Sequence, residues 1–445
     1  MKDLILTYKA KLAEPVGIEP LVTLRITFGV LMLFSTLRFW YLGWIDNHFV
    51  EPIFHFSYFG FEWVKVLPEF WMYAIHMLMV VTSIQIIAGF KYRIGAILFF
   101  LAFTYVELID LTYYLNHYYF VSLLALLLVL VPAGSKYSID ALRTPSIQLD
   151  TIPRWMLLAF QIQVAIVYLY AGIAKMNSTW LFEAMPLRIW LPAKDNLPII
   201  GVLFTYPITA YVFSWAGMIY DATIPFFLWN KRTRLFAYIA VLAFHITVGA
   251  LFQIGVFPMV MTIVVWVFFS QEFHEKLLSP FKFLNHGEPN GKHPNWAALK
   301  VGLGAFITFQ VIFPFRYVFY EGSRFWNEEA YRFGWRVMLV EKAGTATFYV
   351  QDGELGKRGE VVNSEFLNAH QEKQMAFQPD MILQFAHYLG EHFKAMGMDD
   401  PQVYCDSWVT MNGKPSQQLI DTKVNLMTQE DSWQQKKWVL PYVEE

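Results

Sequence analysis

The chain has 445 residues, of which 56% are hydrophobic and only 16% charged, well under the ~25% charged content of ordinary soluble domains. A formal net charge of −2, with no basic arm or stripe, excludes a general nucleic-acid binder. Cys405 is the single cysteine, which excludes an intrachain disulfide.

From Met1 to Pro20 there is no continuous apolar core of signal-peptide length, so the first apolar segment is expected to stay as an uncleaved anchor. Nine segments read as membrane spans: 21–43, 69–90, 94–112, 116–133, 155–174, 206–229, 235–252, 255–270 and 298–316. The stretch 235–270 reads equally as one broken helix, because Gly255 and Pro258 interrupt it. Positive loop charge sets the orientation. Lys2, Lys9 and Lys11, then Lys91 and Arg93, Lys136, Arg143 and Arg154, Lys231, Arg232 and Arg234, and Lys276, Lys282 and Lys292 share one side if the N-terminus is cytoplasmic. Nine crossings then leave the C-terminal region outside, and eight would leave it inside. Arg25 and Arg38, in the first segment, are expected to pair with acids, Arg38 being near enough to the end to snorkel.

After Arg316 the composition turns polar and mixed in charge. The chain is therefore read as a polytopic α-helical membrane domain, 1–316, followed by a β-rich α+β soluble domain, 317–445. Within the latter, RVMLVEK and TATFYVQD are predicted as two strands joined at Ala343-Gly344. PDMILQFAHYLGEHFKAMG has helical periodicity, and VYCDSWVTMNGKPSQQLID reads as strand, turn at Asn412-Gly413, strand.

Lys175 is the first residue after an uncharged apolar run, Trp155 to Ala174, that is long enough to cross a bilayer. An ammonium beside apolar surroundings is disfavoured relative to the free amine, which makes Lys175 a candidate base; the bland reading is a snorkelling side chain. Asn116 and His117 fall in a turn at the same external level, where the amide could donate to an oxygen and the imidazole could orient one. Glu107 and Asp110 close the preceding span. Asp221 and His245 lie inside spans, where each must find a partner or stay neutral; a structural contact between helices is the competing role. Trp40, Tyr41, Trp44, Trp180 and Trp190 form an interfacial belt or, alternatively, clamp a flat ring. The histidines are scattered, with no metal-ligand spacing, so no metal is expected; no nucleotide-binding glycine motif and no GxSxG occurs.

Four ordered blocks carry a resemblance: LNHYYF at 115–120, YAGIAKMNSTWL at 170–181, FHITVGALFQIGVF at 244–257, and the C-terminal series WNEEAYRFGWRVML, QPDMILQFAHYL and VYCDSWVTMNGKPSQQLID. At these residues the chain resembles the vitamin K-dependent γ-glutamyl carboxylase family, in the group with a horizontally transferred transmembrane domain, over roughly residues 20–443. The resemblance implies that a base deprotonates reduced vitamin K, a naphthohydroquinone, which reacts with O2. The oxygenated product then removes a γ-hydrogen from a peptide glutamate, CO2 adds, and the quinone leaves as its epoxide. By position Lys175 matches the base, Asn116 and His117 the pair beside it, and His245 a further histidine. The animal enzymes have two adjacent lysines; here the first position is Ala174. They also continue beyond the equivalent of KKWVLPYVEE, so recognition of a propeptide is not expected here.

The resulting expectation is a bacterial inner-membrane enzyme, its C-terminal domain periplasmic. Its partners are a quinone, the lipid bilayer and a glutamate-containing polypeptide presented near Tyr331, Phe333 and Trp335, which are equally readable as strand core. Two alternatives stand beside it: a quinol epoxidase or oxidase without carboxylation, and a non-catalytic membrane protein binding lipid or a partner.

Overall fold

A computed structural model describes Thr7 and residues 10–252, 254–284, 291 and 294–444; Lys2, Lys9 and Lys292 of the charge argument lie outside the described residues. Helices form over all nine apolar stretches: α1 (Glu19–Tyr41), α2 (Glu69–Ala88), α3 (Tyr92–Glu107), α4 (Asn116–Leu130), α5 (Arg154–Ala174), α6 (Pro207–Trp229), α7 (Arg234–Leu251), α8 (Phe257–Val264) and α9 (Ala297–Ile312). Five of these are long and apolar enough to cross a membrane: α1, α2, α5, α7, and α9 with its 3₁₀ continuation to Phe319. The expectation of nine complete spans is not met by the others. The 16 residues of α3 and 15 of α4 rise only about 24 and 22 Å, short of a ~30 Å hydrocarbon core. At 23 residues α6 has the length, but its Pro, Tyr, Trp and Asp221 hold its hydropathy down. The stretch 235–270 holds two helices, α7 ending at Leu251 and α8 beginning at Phe257.

Two short strands, β1 (Pro15–Gly17) and β2 (Thr151–Pro153), tie the start of α1 to the start of α5. Beside them Lys136 bridges Glu19 at 2.6 Å and Asp150 at 2.7 Å. Arg25 does not reach an acid as expected. Its depth on α1 places it against a loop, where Nη2 donates to the Tyr137 carbonyl at 2.6 Å. Arg38 instead lies over the Trp44 ring at 4.9 Å.

The C-terminal region is built on β3 (Lys342–Asp352), which pairs antiparallel with β5 (Pro401–Met411) along its full length. β4 (Arg358–Glu360) flanks β3 and β6 (Gln417–Gln418) flanks β5, giving the order β4-β3-β5-β6. The hairpin expected at Ala343-Gly344 is absent: both residues sit inside β3, opposite Thr410 and Val409. The preceding residues form no strand because Trp335 and Met338 adopt left-handed φ values of 58° and 54°, which break an extended chain. The turn at Asn412-Gly413 does form, with φ of 54° and 72°, the conformation that favours this pair in a tight hairpin.

Alternate residues of β3 and β5 (Phe348, Val350, Val403, Cys405, Val409) bury one face of the sheet under α11 (Pro379–Ala395), whose Ile382, Phe385, Ala386 and Leu389 are inaccessible to solvent. Each such aliphatic or aromatic side chain contributes roughly 1.5–3 kcal/mol. This core also takes in Phe56, Tyr58 and Leu111 from the loops before α2 and after α3. The link is polar too: Gln371, on α10 (Ala369–Met375), donates to the Phe54 carbonyl at 2.7 Å and to Asp110 at 2.9 Å. Gln384 exchanges two hydrogen bonds, both 2.9 Å, with the Ser57 backbone. The sheet region is thus fastened to the ends of the apolar helices, and the candidate site lies along that seam.

Candidate active site

Lys175 caps the C-terminus of α5, and its Nζ donates to Asp221 Oδ2 at 2.7 Å. Both residues are buried, at 6% and 5% exposure. The pair exists because α5 and α6 approach closely. A Cβ on Gly172 would fall 2.6 Å from the Ala222 backbone nitrogen, so only glycine permits the contact. Seven residues back on the same face of α5, Tyr168 shares a hydrogen bond with His245 Nε2 at 2.9 Å. His245 Nδ1 is buried without a partner among the described residues. These groups line a pocket of about 100 Å³ whose other walls include Trp180, Trp190, Phe213, Phe252 and Phe257. The Lys175 ammonium lies 5.4 Å from the Trp180 ring.

His117 and Asn116 line a different and much larger space. A chamber of about 1090 Å³ opens between the helix ends and the C-terminal region. Glu107, Asn116, His117, Tyr331, Arg332, Arg336 and Lys342 all face it. His117 Nε2 is buried and has no partner among the described residues. Asn116 is partly committed: Nδ2 donates to the Arg336 carbonyl at 2.9 Å and Oδ1 accepts from Tyr114 at 3.1 Å. Arg332 pairs with Asp380 and Lys342 with Glu328, the latter at 2.8 Å. His48 also faces the chamber, and burial pulls its imidazole down to about 4, so it is neutral there.

Phe252, Phe257, Val337 and Met338 line both spaces and form the wall between them. The Phe257 ring lies 5.6 Å from His117 on one side and 5.6 Å from His245 on the other. The sequence places Lys175, His117 and Asn116 at one depth. The structure gathers Lys175, Asp221 and His245 in the pocket and leaves His117, Asn116 and Glu107 in the chamber. Of the three residues expected at a peptide mouth, Tyr331 faces the chamber. Trp335 is fully buried and stacks on Tyr119 at 5.0 Å, and Phe333 packs edge-on against Tyr114 and Tyr119.

Sequence reasoning missed Tyr168, Phe257 and Met338. Tyr168 was findable, because it stands seven residues before Lys175 on one helix face. Nothing local marks Phe257 or Met338 as a partition. Among the described residues no group of three or more His, Cys, Asp or Glu is placed to hold a metal ion.

A bound naphthohydroquinone fits the pocket's chemistry. Flat aromatic walls suit a ring, and the orphaned His245 Nδ1 and the Lys175–Asp221 pair are the polar groups able to meet its oxygens. At about 100 Å³ the pocket is smaller than the ~300 Å³ lower bound of usual ligand sites.

Residues 13–273 match the HTTM domain, and residues 296–445 match the vitamin K-dependent gamma-carboxylase lumenal domain. No solved structure matches the chain. With an HTTM domain across more than half its length and the lumenal domain completing it, the chain belongs to the vitamin K-dependent gamma-carboxylase family.

Proposed function

We propose that the protein is a γ-glutamyl carboxylase that couples oxygenation of reduced vitamin K to carboxylation of peptide glutamate. The observation that carries this reading is the buried Lys175–Asp221 pair in an aromatic pocket, one wall away from a polar chamber. Reduced vitamin K, when bound with O2, supplies the strong base that a protein side chain cannot.

The chain's own groups would do the following. Lys175 Nζ donates to Asp221 Oδ2 at 2.7 Å. Nζ is the group that would take a proton from a bound quinol, and Asp221 is the neighbour that holds it in place. With the proton on Nζ, the carboxylate balances the charge in a site too dry to leave it unpaired. His245, held by Tyr168, orients an oxygen of the ring through its free nitrogen. His117 Nε2 offers a hydrogen bond on the chamber side, where Asn116 fixes the first turn of α4 against the Arg336 loop. The chamber, at about 1090 Å³, has the volume to take a length of polypeptide carrying glutamate, and Phe252, Phe257, Val337 and Met338 stand between it and the pocket.

In the same reading, residues 1–316 form the membrane domain and residues 317–445 the extracytoplasmic one, in agreement with the word lumenal in the matched family's name. The N-terminus is cytoplasmic and the membrane is a bacterial inner membrane, the single cysteine being consistent with that source.

The test uses purified protein in lipid with reduced vitamin K, O2, labelled bicarbonate and a short glutamate peptide. Quinone epoxide and labelled peptide are followed together, for wild type and Lys175→Ala. Both products, lost together in the variant, are expected. Epoxide that no peptide affects would replace this reading with a quinol epoxidase. Neither product from well-folded protein would replace it with a non-catalytic membrane protein.

A further inference from the structure

Three arginines gather where α9 runs out of the apolar region. Arg324 lies over one ring, that of Tyr317, at 4.1 Å, and Arg336 lies over the same ring at 4.8 Å. Arg316, one residue before that tyrosine, lies over Phe313 at 4.1 Å. None of the three has a carboxylate within ion-pair distance among the described residues, although the chain supplies acids nearby. Glu328 is spent on Lys342 at 2.8 Å and Glu329 on Lys436 at 3.4 Å. Arg336 is 5% exposed, and burial together with repulsion from Arg324 pulls it down to about 10. Its Nη1 donates to the Ala330 carbonyl at 2.7 Å, while the Arg324 guanidinium makes no hydrogen bond to the described protein. Like charges this close are stable only if an anion joins them or water screens them, and Arg336 is largely shut off from water.

Arg324 and Arg336 line a cleft of about 60 Å³ between the ends of α5 and α9. Around it Ile173, Met176, Phe315, Val318 and Phe319 are exposed, an apolar surface of the kind acyl chains cover. Guanidinium forks match phosphate oxygens two at a time, and basic pockets between membrane helices take phosphate headgroups.

We propose that Arg324 and Arg336, with Arg316 held nearby by the Phe313 and Arg332 carbonyls, form a binding site for the phosphate headgroup of an anionic phospholipid, seated at the outer ends of α5 and α9. The site is separate from the Lys175 pocket; Arg336 also faces the chamber, but the test is made at Arg324, which does not, so it does not depend on carboxylation.

Full-length protein is mixed with phosphatidylglycerol and phosphatidylcholine, and retained lipid is counted by native mass spectrometry. Wild type is expected to hold one phosphatidylglycerol under conditions that strip phosphatidylcholine. Arg324→Gln should lower that retention about fivefold or more, the scale of one arginine at a lipid phosphate. Arg324→Lys, which keeps charge but loses the fork, should fall between. Unfolding is followed for all three proteins; Arg324 has no hydrogen bond to the protein to lose, and Arg324→Lys serves if the glutamine variant does not fold. Equal retention of the two lipids, or unchanged retention in both variants, overturns the proposal. So does displacement of the bound lipid by millimolar inorganic phosphate, which would mark a free-phosphate site instead.

Discussion

The Lys175 pocket and the chamber share one wall and differ in nearly everything else. One is about 100 Å³ and walled by aromatic rings around a single ion pair; the other is about 1090 Å³ and faced by guanidinium, carboxyl, imidazole and ammonium groups. On the proposed function the difference follows from the two reactants. An amine acts as a base only where water does not hold it protonated, whereas a glutamate on a polypeptide needs polar room. On that reading the two requirements would be met on opposite sides of Phe252, Phe257, Val337 and Met338, which line both spaces.

The comparison breaks most sharply at the lysine. Lys175→Ala, and equally Lys175→Arg because guanidinium cannot release its proton, should cost roughly a hundredfold to ten-thousandfold in both products. Near-normal epoxide formation by Lys175→Arg would remove the amine from the chemistry. The ion pair comes next. Asp221→Asn leaves the ammonium buried without its counter-charge and should destabilise the protein by about 3–5 kcal/mol in denaturant titrations. An unchanged midpoint would mean that the charge is not confined as the structure has it.

On the chamber side the corresponding pair is Arg332–Asp380. Burial alone would raise the Asp380 carboxyl, but the Arg332 guanidinium outweighs it and holds the carboxyl below its usual range. A folded value below the unfolded one, near 4, gives stability that is present above pH ~4 and lost as pH falls through the folded value. Asp380→Asn should therefore lose about 3 kcal/mol at pH 7 and show a flatter acid limb in pH-dependent unfolding. An acid limb identical to wild type would show that this pair is not what acid disrupts. The smallest effect is expected from the wall. Met338→Ala lets the two spaces merge, and epoxide formed per labelled glutamate should rise a few-fold, the scale of about 1 kcal/mol. A ratio equal to wild type would show that this side chain does not keep the compartments apart.

Much of this was legible in the chain. The apolar runs located all nine helices, because burial or lipid exposure imposes composition locally. Periodicity located α11, and Asn412-Gly413 located the β5–β6 turn, because a left-handed pair of φ values restricts residue choice. Lys175 stood out as a charge at the edge of a long uncharged run. The failures share a cause. The hairpin at Ala343-Gly344 was read from turn residues alone, yet β5 pairs straight across both of them. The nine-span count assumed that every apolar helix crosses, whereas the structure stops α3 and α4 short.

What the sequence determined by itself is the apolar helical region, the shorter polar C-terminal region, the family, and the residue types able to do acid–base chemistry. These rest on composition, period and local motif. Only the tertiary structure decided that Lys175 faces Asp221 across 46 residues of chain, that Tyr168 holds His245, and that Phe257 stands between the two histidines. Those relations depend on how closely α5 and α6 approach and on where a broken helix turns back. Such distances are set by packing between segments far apart in the chain, and no local pattern records them.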